Sequence, residues 1–85
     1  MKKEQRNGLP DPDVRAVMLN LGFNEEAVLM SCHRFEGRRF LYYAELNRIW
    51  EEKRRRPYDA HSLVMDLLQC DSNAAWHHLA VNGFV

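Results

Sequence analysis

Apolar residues recur along this chain at helical spacing. Val14, Val17, Met18 and Leu21 fall at i, i+3, i+4 and i+7, one face of a helix. Asp11 is placed to cap it and Pro12 suits its first turn, so a helix is expected over 12–21. Gly22 then supplies the left-handed residue that ends a helix cheaply. Asn24, ahead of Glu25 and Glu26, caps a second helix over 25–36, with Val28, Cys32 and Phe35 on one face and Gly37 at its end. Tyr42, Tyr43, Leu46, Ile49 and Trp50 form the apolar face of a long third helix over 38–55, which Pro57 stops. Asp59 caps a fourth, whose Ala60, Leu63, Val64, Leu67 and Leu68 make the cleanest helical stripe in the chain. Asp71 or Ser72 caps a short fifth containing Trp76, Leu79 and Ala80, closed by Gly83 with Phe84 folding back. No strand is expected. Short connections favour antiparallel or steeply crossed neighbours. The expected fold is therefore all-α: a small orthogonal bundle of four to five helices over 11–85, preceded by a flexible arm over 1–10.

Composition narrows the class of protein. Eighty-five residues suffice for one modest core. A hydrophobic fraction of 46%, with four Phe, three Tyr and two Trp, belongs to a folded chain. No apolar run approaches the roughly 20 residues of a membrane span, and the polar start lacks the apolar stretch of a signal peptide. Cys32 and Cys70 do not resemble a disulfide framework, which points to a reducing compartment, cytoplasmic or nuclear. The formal net charge is zero, but residues 34–56 carry eight basic and four acidic side chains. An electrostatic partner would therefore meet one face of the molecule.

The stretch Val14-Arg15-Ala16-Val17-Met18-Leu19-Asn20-Leu21-Gly22-Phe23-Asn24-Glu25-Glu26-Ala27-Val28 resembles the first half of a ubiquitin-associated (UBA) domain, with Leu-Gly-Phe in place of the family's Met-Gly-Phe or Met-Gly-Tyr loop. Tyr58-Asp59-Ala60-His61-Ser62-Leu63-Val64-Met65-Asp66-Leu67-Leu68 resembles the third helix of the UBA domains of inhibitor-of-apoptosis ubiquitin ligases. The two pieces cover about thirty residues. A UBA domain is a three-helix unit, and two registers are open here. Either the first, second and fourth helices form the core around an inserted third, or the first three form it and the rest extend it. The first accommodates Leu63, Val64, Leu67 and Leu68 better.

The resemblance implies a non-catalytic protein-interaction module that binds ubiquitin or a ubiquitin-like domain. The family's site, carried over, is the loop Leu21, Gly22 and Phe23 with the helix end Leu67 and Leu68. Glycine lets a partner backbone approach while apolar side chains bury against the partner. So small a contact implies weak, reversible binding. The competing possibility is that Phe23 plugs the core.

Other chemistries fit less well. Arg34, Arg38, Arg39, Arg48, Lys53, Arg54, Arg55 and Arg56, with Tyr42, Tyr43 and Trp50 among them, offer a phosphate-binding face with stacking rings. In a helix, however, Glu51–Arg55 and Glu52–Arg56 would pair at i, i+4, and the rings would join the apolar stripe. Together with zero net charge, this argues against a nucleic-acid binder. Trp50 and Trp76 are candidate anchors for a helical docking or dimerisation domain, and an exposed stripe on the third helix would allow self-association. Cys32-His33, Cys70 and His77-His78 lack the paired spacing of a structural zinc site. No triad order, phosphate loop or HExxH signature is present. No metal, cofactor or catalytic residue is therefore expected.

Overall fold

The computed structural model describes residues 11–24, 32–35 and 37–85, with 32–35 described by backbone alone. The expected arm over 1–10 and the first part of the expected helix over 25–36, with Val28, lie outside the described residues. The described residues form α1 (Val14–Leu21), then four strands, β1 (Cys32–Phe35), β2 (Arg38–Tyr43), β3 (Arg48–Glu51) and β4 (Arg56–Tyr58), then α2 (Ala60–Leu68) and α3 (Ser72–Val81). The strands pair in chain order as an antiparallel meander. The all-α bundle of four to five helices with a UBA-like core thus gives way to a mixed α/β fold. The second UBA register falls with it, because residues 38–55 form no long helix.

The correction has a physical cause. Tyr42, Tyr43, Leu46, Ile49 and Trp50 fit a helical stripe, but they are also the aromatic and β-branched types that favour a pleated surface. In β2, Phe40 is buried and Tyr42 packs against the core, while Arg39 and Tyr43 are exposed. In β3, Ile49 and Glu51 are buried and alternate with half-buried Arg48 and Trp50. That is a period of two. Turn residues decide the matter. Gly37 adopts φ +80 between β1 and β2, a conformation open to glycine. A short 3-10 turn, Ala44–Leu46, ends on Asn47 at φ 53, a left-handed position that asparagine tolerates. Asn47 also joins the sheet to α1. Its Oδ1 accepts the Val14 backbone N–H at 2.8 Å, and its amide donates to the Pro12 carbonyl at 2.9 Å. It thereby satisfies an amide at the start of α1, where Asp13 makes no side-chain cap.

The helices follow their caps. Gly22, at φ 108, closes α1. Asp59 accepts the Ser62 N–H at 2.8 Å, and Ser62 Oγ accepts the Asp59 N–H at 3.0 Å, forming a reciprocal capping box. Asp71 accepts the Ala74 N–H at 2.8 Å and starts α3. Phe84 turns back and donates its N–H to the Leu79 carbonyl.

The core lies between the three helices and one face of the sheet. Val14, Val17 and Met18 from α1 meet Phe40, Ile49 and Tyr58 from the strands and Leu63, Val64, Ala75 and Leu79 from α2 and α3. Full burial of each large apolar side chain contributes about 1.5–3 kcal/mol. Among the described residues, no helix is long and apolar enough to cross a membrane.

Candidate functional site

With the helices on one face, the pleat turns the remaining strand residues outward. Arg39, Leu41 and Tyr43 of β2, Arg48 and Trp50 of β3 and Pro57 of β4 occupy the outer face. Trp50 sits opposite Leu41 on one side and Pro57 on the other, while Tyr43 sits opposite Arg48. Tyr43 is 46% and Leu46 66% exposed. A groove of about 540 Å³ runs between Tyr43, Leu46, Arg48, Ile49, Trp50 and Pro57. The helical reading put Tyr42, Tyr43 and Trp50 on one buried face. The strand separates them, with Tyr42 turned inward and Tyr43 and Trp50 outward.

The β3–β4 hairpin sits beside this face and carries four consecutive cations, Lys53, Arg54, Arg55 and Arg56, all exposed. Its shape comes from Glu51, which is fully buried. The Glu51 carboxylate accepts the Arg54 N–H at 2.6 Å and the Lys53 N–H at 3.3 Å, and lies 3.9 Å from Arg38 Nε. A buried carboxylate is tolerated when donors and a cation face it. The expected i, i+4 pairs do not form. Glu51 points inward, and Glu52 pairs with Arg39 at 3.1 Å. Arg48 pairs with Asp11 at 3.2 Å. Lys53 and Arg55 have no carboxylate partner among the described residues.

A second polar cluster fixes the hairpin to α2. Arg38 grips Asp66 with both Nη atoms, at 3.1 and 3.0 Å, and Arg54 Nη1 reaches the same carboxylate at 2.8 Å. The Tyr58 hydroxyl donates to the same oxygen as Arg54. Burial alone would raise the Asp66 pKa. The hydrogen bonds from Arg38 and Tyr58 and the charges of Arg38 and Arg54 outweigh it and hold the carboxyl below its ordinary value. Burial, and then the bond to Asp66, push the Tyr58 phenol up. A cleft of about 410 Å³ opens beside this cluster between the hairpin and α2.

The expected loop site is built differently. Phe23 is 4% exposed and packs edge-on against Phe40. Its ring is sealed in the interior and is not presented to a partner. Leu21 and Leu67 are half-buried against the core. Of the five expected contact residues, Gly22 and Leu68 are exposed, Leu68 by 47%. Trp76 stacks on His61, ring centroids 4.2 Å apart, and packs against the core. The half-buried Cys70 thiol donates to the Val64 carbonyl. Among the described residues, no three His, Cys, Asp or Glu side chains come together to hold a metal.

The outer face was missed because the hairpin signal was passed over. Phe35-Glu36-Gly37-Arg38 places a Gly turn ahead of a short run rich in aromatic residues, Phe40-Leu41-Tyr42-Tyr43. Comparison with protein-family models, curated proteins and solved structures gave no match.

Proposed function

We propose that this chain is a non-catalytic domain that binds single-stranded nucleic acid on the outer face of its sheet. Bases would rest on Tyr43 and Trp50, and phosphates would meet Lys53 and Arg55. The observation that carries the reading is the placement of two aromatic rings, exposed Tyr43 and half-buried Trp50, on the outer sheet face beside a hairpin whose Lys53 and Arg55 have no carboxylate partner among the described residues. Every base has a π-face, so stacking platforms of this kind accept strands without strict sequence readout, and cations supply the salt-sensitive attraction to phosphate. Two of the three arguments against nucleic acid drawn from the sequence, the i, i+4 pairs and the apolar stripe, depended on a helix over 38–55. The local excess of positive charge matters more here than the zero total, because it is concentrated on one surface.

Ubiquitin, the partner implied by the UBA resemblance, is the rival. Exposed Gly22 and Leu68 favour it, and the buried Phe23 ring weakens it. Titrating isotope-labelled protein with a uridine decamer and, separately, with ubiquitin decides between them. The reading expects the decamer to shift the amides of β2, β3 and the hairpin and ubiquitin to leave them unmoved. Shifts with ubiquitin around Gly22 and Leu68, and none with the decamer, would replace this reading with the protein-docking one.

A further inference from the structure

β4 separates two concavities. Pro57 lines the groove on the outer face, while its sequence neighbours Arg56 and Tyr58 line the cleft on the other side. Ser62, Met65, Asp66 and Gln69 of α2 form the opposite wall, and Arg54 stands at the hairpin end. β4 is the last strand of the meander. A chain lying across the outer face therefore has a single strand to cross before it reaches the cleft. Strands are spaced about 4.8 Å apart, so that step is within the reach of one nucleotide.

The hydrogen-bond donors at the cleft are not used up. Its carboxylate, Asp66, is already matched by the two-pronged grip of Arg38 and by the Tyr58 hydroxyl. Arg38 and Arg54 together face two carboxylates, Asp66 and Glu51, so their charges balance, but Arg54 keeps unused donors. It is also 56% exposed. A guanidinium has five N–H donors, and Arg54 gives one of them to Asp66. Arg56 lies over the Tyr58 ring at 4.9 Å, a contact that uses the guanidinium face and no carboxylate. Glu51 is turned to the hairpin backbone and is fully buried. Two guanidinium groups thus face one cleft with N–H donors to spare, and Arg56 has no carboxylate partner among the described residues. An internal phosphodiester offers two non-bridging oxygens, whereas a phosphate monoester offers three strong acceptors for such donors.

We propose that this cleft takes a phosphate monoester, the terminal phosphate of the strand carried on the sheet, bridged by Arg54 and Arg56. The proposal rests on the nucleic-acid reading above. It assigns the domain to strand ends, whereas the sheet face alone would bind anywhere along a strand.

The test compares uridine decamers that bear a 5′-phosphate, a 3′-phosphate or neither. One phosphorylated form is expected to bind about tenfold tighter than the unphosphorylated strand, as charge-assisted bonds to a dianion require. That gain should disappear in Arg54→Ala and in Arg56→Ala. Arg56→Ala removes only an exposed stacking contact, so it remains informative if Arg54→Ala loosens the hairpin. Equal affinity for all three strands would overturn the proposal and leave the sheet-face reading intact. So would a phosphate advantage that survives both substitutions. If no decamer binds, the sheet-face reading fails, and inorganic phosphate tests the cleft by itself. Amide shifts at Arg54, Arg56 and Gln69 would then support an anion site, and their absence would rule it out.

Discussion

Phe23 and Phe40 meet edge to face, ring centroids 5.4 Å apart at an interplanar angle of 70°. The contact joins the turn after α1 to the second strand. It also explains why a Leu-Gly-Phe loop serves here as architecture. The glycine turns the chain at φ 108, and the aromatic residue that follows is delivered into the core. The inner face of the sheet is thereby filled, and the outer face is left for other use.

Phe23→Ala should therefore act on stability. Truncation of a buried phenylalanine costs about 3–5 kcal/mol, and the lost aromatic contact with Phe40 belongs to that cost. Chemical denaturation should show a midpoint well below wild type. An unchanged midpoint would mean that the ring is not a core element.

Glu51 gives a sharper comparison, because its carboxylate shapes the basic hairpin. Glu51→Ala leaves the Lys53 and Arg54 amides without their acceptor and removes one of the two carboxylates beside Arg38. The expected loss is about 2–4 kcal/mol. Glu51→Gln keeps one acceptor oxygen and should lose less. Equal losses in the two variants, read by thermal unfolding, would show that the amide bonds are not what matters.

The clasp on Asp66 is pH-dependent, and its sign follows from the depressed pKa. A carboxyl held below its ordinary value in the folded state stabilises the fold fully above the unfolded value, about 3.9 for aspartate. That contribution fades as the pH falls below this value and through the folded one. Wild type should lose stability on acidification more steeply than Asp66→Asn across the same range. Parallel curves would remove Asp66 from the acid response.

How much was legible in the sequence varied by region. The helices were readable wherever a cap and an apolar stripe agreed, as at Asp59 with Leu63 and Val64, or at Gly22 after Val17 and Met18. The middle of the chain was not, because its apolar spacing satisfied the helical period by coincidence. What distinguished the alternatives there was local. Gly37 and Asn47 sit at left-handed turns; Gly37 joins two strands where the pattern put a boundary between helices, and Asn47 breaks a helix that the side-chain pattern alone would allow. The buried Glu51 and the Arg38–Asp66 grip were also out of reach. They depend on which face each strand turns to the core, and that is fixed only when the strands pair. The candidate site was half visible. Its basic residues and rings were recognised as a group, but the helical reading put the rings inside and the charges in pairs.

The central claim is that Trp50 and the hairpin cations act together on a single strand. The most direct test is the affinity of a uridine decamer for wild type and Trp50→Ala, measured across a series of salt concentrations. For wild type, log K should fall linearly with log salt, with a slope of about −1.4 to −2 for two to three phosphate contacts. Trp50→Ala should weaken binding by about tenfold at every salt concentration, the worth of one stacked base, with the slope unchanged. A wild type that does not bind at low salt, or a Trp50→Ala variant that binds equally well, would contradict the account.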